Sequence, residues 1–135
     1  MSAHGAAQTR IQMRSRSFDW AEPLICEQIL NVYGTPLDGA LSNHQVAAAQ
    51  TRMWLSLIDG DAEAFEIQRV ELVRLAHEAK IGTAEIERAN RAVLLELVLV
   101  VVTRFRNSDR LRMGYVERLQ SALRVIKQNR SLTLH

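Results

Sequence analysis

Apolar residues recur at intervals of three and four positions along most of the chain, which is the period of amphipathic helices. The valines at 98 and 100–102 alone fit a strand, but their helical flanks and the lack of turn signals favour a helix. The pattern predicts an all-α protein of five main helices, at Trp20–Tyr33, Ser42–Ile58, Phe65–Ile81, Ala84–Phe105 and Arg110–Gln128.

Short polar signals mark the ends of these helices. Ser42 with Gln45 three positions on has the form of a capping box at the start of the second helix. Gly60 stands where a left-handed residue is expected to end that helix, and Asp61 is suited to cap the helix that follows. Thr83 is expected to cap the fourth helix in the same way.

The predicted fourth helix is unusually apolar in its second half. Residues 93–102 are apolar on nearly every side, interrupted only by Glu96. A helix that is apolar all round has to be buried all round, and a domain of this size cannot easily cover one helix completely. The pattern therefore predicts a partner subunit that covers the rest of this helix.

The length of the chain predicts a single domain, and its charge bears on the kind of partner. The 135 residues fit one domain at residues 17–130. A flexible basic tail at 1–16 precedes it, and a frayed end at 131–135 follows. The tail carries three arginines, which suit either a solvated leader or contact with nucleic acid or an acidic membrane. The formal net charge is only +2, which argues against a dedicated nucleic-acid surface.

Composition also narrows the compartment and the chemistry. The single cysteine, Cys26, rules out an internal disulfide and fits a reducing compartment. No signal peptide is evident, and the longest apolar run, 97–102, is too short to span a bilayer. We therefore expect a cytoplasmic protein. Zinc clusters, phosphate-binding loops and nucleophile elbows are absent from the sequence, so we do not expect an enzyme.

His77 is the most informative residue for function. Ile67, Val70 and Val73 recur every third position, and His77 continues this stripe one turn later. A histidine on an inward helix face suits an axial ligand to a buried haem, which needs an apolar slot and a neutral imidazole. It also suits an ordinary core histidine with a hydrogen bond inside the protein, which is the commoner arrangement. The pattern alone leaves both interpretations open.

Three aromatic residues are further candidates. Tyr33, at the end of the first helix, can line a pocket and donate to a bound ligand, or can simply pack there with its hydroxyl in water. Trp54 and Phe65 are core candidates that can also wall a flat cofactor. Each of these alternatives depends on the position of the side chain in the fold.

Three short motifs follow one another along the chain in an order typical of one family. They are Glu22-Pro23 with Tyr33, the turn Ile58-Asp59-Gly60-Asp61, and His77 followed by Ile81-Gly82. In this order the chain resembles the sensor-globin (protoglobin-type) domain of bacterial globin-coupled sensors, over roughly residues 20–126. The resemblance implies a globin-like all-α fold whose long C-terminal helix pair forms a four-helix dimer interface, with a homodimer through residues 84–106 and 109–130.

The resemblance also implies a function. It assigns haem b as cofactor, His77 as the ligand of the iron, and Tyr33 as the residue that contacts a bound gas. The remaining pocket residues are expected to be Trp54, Phe65, Val73 and Ile81. The implied function is a haem-based sensor of oxygen or another diatomic gas, which relays its ligand state through the last two helices to a signalling partner.

The alternative is a globin-fold signalling or dimerisation module that binds no haem. The family spacing places Ile-Gly three positions after the histidine, whereas Ile81 follows His77 by four. The aromatic pair that commonly follows Ile-Gly is replaced by Thr83-Ala84-Glu85-Ile86. Both differences favour the haem-free alternative.

Overall fold

The computed structural model describes residues 20–34 and 40–133, and these form helices and turns without a strand. The five helices are α1 Ala21–Tyr33, α2 Ala40–Asp59, α3 Ala62–Ala79, α4 Thr83–Arg104 and α5 Asp109–Thr133. The all-α prediction is therefore confirmed. The predicted tail at 1–16 lies outside the described residues. Within the described part, none of the helices combines the length and the apolar character needed to cross a bilayer.

Two helix ends follow the sequence signals. Gly60 has φ of 73°, the left-handed conformation expected after α2. The side chain of Asp61 accepts a hydrogen bond of 3.0 Å from the backbone N–H of Ala64, so Asp61 caps α3 as predicted. These residues produce a sharp turn that folds α3 back onto α2.

Three other helix ends differ from the prediction. α2 begins at Ala40, so Ser42 lies inside the helix rather than at its cap. α4 is capped by Gly82 instead of Thr83, because the extended backbone at Gly82 lets its carbonyl accept from the N–H groups of both Glu85 and Ile86. α5 continues to Thr133, beyond the predicted end at Gln128.

α2 is the central helix of the fold. It packs against α1, α3 and α5, while α4 packs against α1 and α5. The residues predicted to form the buried face of α2 are all buried: Val46, Ala49, Met53, Trp54 and Leu57. They recur at three and four positions, so they form one continuous strip along the helix. Trp54 is the largest completely buried side chain among the described residues.

An aromatic cluster closes one end of the helix bundle. The rings of Phe105 and Tyr115 stack with centroids 4.6 Å apart, and Trp20 meets both of them edge-on or tilted. The guanidinium of Arg104 lies 5.4 Å from the centre of the Trp20 ring, within the range of a cation–π interaction. The cluster joins the start of α1 to the end of α4 and to α5.

The expected inward stripe of α3 is wrong, because all four of its residues are exposed: Ile67, Val70, Val73 and His77. The buried side chains of α3 are instead Phe65, Leu72 and Ala76. Among the stripe residues, Ile67 is 60%, Val70 55% and Val73 46% exposed. Steps of three residues fall short of the 3.6 residues of a full turn. The stripe therefore rotates around the helix, and its residues lie beside the face that packs on α2 rather than on it.

The end of α3 carries a strained residue that offers a test of the backbone. Lys80 has φ of 60°, a left-handed conformation that costs a non-glycine residue about 1–2 kcal/mol. Glycine avoids that cost but loses about 0.5–1 kcal/mol through its freedom in the unfolded chain. We expect Lys80→Gly to raise the free energy of unfolding by roughly 0.5–1 kcal/mol in urea titrations. Gly60→Ala is the opposing control, and it should lower the free energy of unfolding because Gly60 also has a left-handed backbone. If Lys80→Gly lowered that free energy instead, the left-handed conformation of Lys80 would be contradicted.

Candidate ligand cleft

A cleft opens where α3 separates from the rest of the bundle. α3 packs on α2 and stands apart from α4 and α5, which form the opposite wall. The cleft has a volume of about 560 Å³, within the roughly 300–1,000 Å³ typical of sites for small molecules and cofactors. Its apolar walls include Leu72, Val73, Ile81, Ile86, Leu94 and Ile126.

His77 lies on the α3 wall of this cleft, close to the end of the helix. Its side chain is exposed rather than packed in the core, so the expectation of an inward-facing core histidine is wrong. Its backbone carbonyl accepts the N–H of Lys80 at 3.2 Å, which fixes the end of the helix. The imidazole is thus held on a rigid element and is accessible from the cleft.

Five of the six pocket residues predicted from the sequence come together here. They are His77, Trp54, Phe65, Val73 and Ile81. Trp54 and Phe65 form part of the floor, and they are mostly covered by their neighbours because α2 and α3 pack closely beneath the cleft. Val73 and Ile81 flank the histidine on the side of α3 and its terminal turn.

Tyr33, the sixth predicted residue, is not among the residues that line the cleft. Its hydroxyl donates a hydrogen bond to Oε1 of Gln50 on α2. Burial raises the pKa of Tyr33 above its ordinary value, the nearby carboxylate of Glu85 raises it further, and the hydrogen bond to Gln50 opposes both effects. Tyr33 is therefore a neutral phenol whose proton is already used.

A polar network that the sequence did not reveal connects Tyr33 to the cleft. Gln50 Nε2 donates to Asn90 Oδ1 at 2.8 Å and to the carbonyl of Ile86 at 3.3 Å. Trp54 Nε1 donates to the same Asn90 oxygen at 2.9 Å. Asn90 lies on α4 and lines the cleft. The network joins α1, α2 and α4 directly behind the cleft wall.

A detectable sequence signal accompanies these two amides. Gln50 lies one turn after Val46 and one turn before Trp54, so it interrupts the buried face of α2. Asn90 similarly lies one turn after Ile86 and one turn before Leu94. A polar side chain on an apolar helix face needs a hydrogen-bond partner, and two such interruptions on different helices are candidates to pair with each other.

The cleft also carries an excess of positive charge. Arg69, Arg91 and Lys127 line it from three different helices, against the single carboxylate of Glu87. Arg69 is partly neutralised by an ion pair of 2.6 Å with Glu66 on its own helix. Among the described residues, no group of three or more histidine, cysteine, aspartate or glutamate side chains is arranged to hold a bare metal ion.

The cleft thus combines apolar walls, one accessible imidazole and several cationic groups. Such a set suits a largely apolar ligand that carries negative charge at one edge. Comparison with known proteins adds nothing to this description, since no family model, curated protein or solved structure matches the chain. The function has to be inferred from the chemistry of the cleft.

Proposed function

We propose that the cleft binds haem b with His77 as the ligand of the iron, and that the protein is a sensor of a diatomic gas such as oxygen. The observation that supports this most directly is the position of His77. Of the two histidines in the described part of the chain, His44 is exposed on α2 away from the cleft, whereas His77 lies on the cleft wall. A neutral imidazole beside an apolar slot is the arrangement that haem requires.

The other cleft residues fit the remaining chemistry of haem. Its flat macrocycle needs apolar walls, which α3, α4 and α5 supply. Its two carboxylates need positive partners. Arg69, Arg91 and Lys127 line the cleft, and they would provide charge-assisted hydrogen bonds to these carboxylates. Bound haem would supply an iron centre that binds a gas. The chain itself positions the imidazole, excludes water with its apolar walls and neutralises the carboxylates.

The same helices provide a route for the signal. α4 and α5 both line the cleft, and they also pack against each other. A ligand that favours one packing of these helices over another shifts the population between the two states by its difference in affinity. We propose that the ligand state is relayed through α4 and α5 to a signalling partner.

The outer side of α4 suits assembly with a second copy. Leu95, Val98, Leu99 and Val102 form an exposed apolar strip, here named the outer stripe. Its spacing of three, one and three residues reads the same in both directions. An antiparallel copy of α4 can therefore pair Leu95 with Val102 and Val98 with Leu99, as a two-fold interface requires. We propose a homodimer through α4, extended by α5.

A haem-free dimerisation module is the second candidate function. It is favoured by the outer stripe, because this exposed apolar surface is present on α4 whatever occupies the cleft. The close packing of α2 on α3 beneath the cleft is compatible with it as well. In this case the fold would serve assembly and signalling, and the cleft would remain without a haem.

The visible absorption spectrum after addition of haemin tests the proposal. We expect a Soret band for the wild-type chain, and a lost or shifted band for His77→Ala, since that substitution removes the imidazole from the cleft wall. His44→Ala is the matched control and should leave the band unchanged. Circular dichroism of all three proteins should show the same helix content, because both histidines are exposed.

Two results would contradict the haem proposal. Absence of a Soret band in the reconstituted wild-type protein would favour the haem-free module. Equal bands in the wild type and His77→Ala, with the same response to cyanide, would show that haemin binds elsewhere or through another residue.

A further inference from the structure

The orientation of the Asn90 amide is determined by a neighbour that can only donate. Trp54 Nε1 lies 2.9 Å from Asn90 Oδ1, and an indole N–H has no acceptor capacity. The amide atom facing Trp54 must therefore be the oxygen. The opposite assignment would set two donors against each other, which a partly buried pair does not tolerate.

The same reasoning orients Gln50. Its Nε2 uses both N–H groups, one on Asn90 Oδ1 and one on the carbonyl of Ile86. Its Oε1 then remains to accept the proton of Tyr33. Gln50 is completely buried, so this arrangement satisfies a side chain that has no access to water. The chain of hydrogen bonds has one direction, from Tyr33 through Gln50 to Asn90.

Asn90 is left with a donor that the protein does not use. Its Oδ1 accepts from both Gln50 and Trp54, while no residue in the described part of the chain accepts from its Nδ2. The side chain is only partly buried and lines the cleft. Within the same described part, every buried side-chain nitrogen and oxygen has a partner. The amide nitrogen therefore faces the open space of the cleft.

We propose that Asn90 Nδ2 donates a hydrogen bond to an acceptor oxygen of the ligand in the cleft, and that Asn90 determines which ligands are preferred. Tyr33 does not serve this role, since its proton is held by Gln50. Trp54 and Gln50 act as positioning residues that hold the amide with its nitrogen toward the ligand. The inference rests on the proposed function: with haem in the cleft, the acceptor is either the diatomic gas or a haem carboxylate.

Asn90→Asp tests this role with little change in shape. The carboxylate keeps an oxygen for Trp54 and Gln50 and replaces only the NH₂ group by an acceptor. Asn107→Asp, in the exposed turn between α4 and α5, is a control with the same charge change. The measurements on the haemin-reconstituted proteins are haem affinity, the rate of oxygen release, and the C–O stretching frequency after reduction and addition of carbon monoxide.

Two outcomes support the inference and identify the acceptor. An upward shift of the C–O stretching frequency with oxygen release about tenfold faster, at unchanged haem affinity, identifies the gas. Haem affinity about tenfold weaker, with an unchanged stretching frequency, identifies a carboxylate. In both cases Asn107→Asp behaves as the wild type. If the added charge unfolds the protein, the uncharged Asn90→Ala replaces Asn90→Asp in the same measurements.

Other outcomes overturn the inference. Normal haem affinity, oxygen release and stretching frequency in Asn90→Asp would overturn it while leaving the proposed function intact. The same conclusion would follow if Tyr33→Phe, rather than Asn90→Asp, produced the changes. A wild-type chain that takes up no haemin would overturn the proposed function together with this inference.

Discussion

Trp54→Ala should lower the free energy of unfolding by about 3–5 kcal/mol, the cost of removing a large aromatic side chain from a core. Trp54 is completely buried on the central helix α2, and its indole also donates to Asn90. Truncation removes the packing of α2 beneath the cleft and takes one of two donors from the Asn90 oxygen. Small domains are stable by about 5–15 kcal/mol, so the loss is a large fraction of the total. Urea unfolding followed by circular dichroism measures it.

Two further variants separate the contributions of Trp54. Trp54→Phe keeps an aromatic ring but removes the indole N–H. Its free energy of unfolding should fall by less than that of Trp54→Ala, and about 1 kcal/mol of the decrease reports the lost hydrogen bond to Asn90. Gln45→Ala, at an exposed position of the same helix, should change stability by less than about 0.5 kcal/mol. A loss below about 1.5 kcal/mol for Trp54→Ala would contradict the packing of the indole in the core.

The sequence predicted the helices and the buried face of α2 because both depend on local patterns. Gly60 and Asp61 end one helix and begin the next through their own backbone and side chain. A five-residue apolar strip on a long helix also has few alternatives to burial. The predicted stripe of α3 failed because α3 packs mainly on one neighbour, α2, and most of its circumference lies outside the core. A short apolar run therefore does not reveal which side of the helix is buried.

The sequence predicted most of the residues that line the candidate site, but not the hydrogen bonds between them. Periodicity and the family resemblance gathered five residues that do line the cleft, His77 among them. They could not show that Tyr33 donates to Gln50, since that contact joins residues 17 positions apart on different helices. They also passed over Asn90, because its role follows from the donor-only indole of Trp54, which is a property of the folded structure.

Val98→Glu should convert the proposed homodimer to a monomer. Val98 lies in the outer stripe and is 39% exposed in the single chain, so the substitution is tolerated by the isolated fold. In an antiparallel pairing of two α4 helices, each glutamate would lose its water against an apolar partner. Burial of an uncompensated polar or charged group costs at least about 2–3 kcal/mol, which weakens association roughly a hundredfold for each copy. Sedimentation equilibrium should show a dimer for the wild type and a monomer for the variant.

Val70→Glu is the matched control for this interface. Val70 is 55% exposed on the outer side of α3, and the chemical change is identical. We expect this variant to remain a dimer, because Val70 lies on α3, outside the outer stripe through which the proposed two-fold contact forms. A specific dimer buries about 1,200–2,000 Å² in total, more than four side chains supply. Leu111 and Met113, exposed at the start of α5, are therefore expected to join the interface. If Val70→Glu dissociated the dimer and Val98→Glu did not, the interface would lie on α3. If neither variant dissociated it, neither of these two surfaces would form the interface.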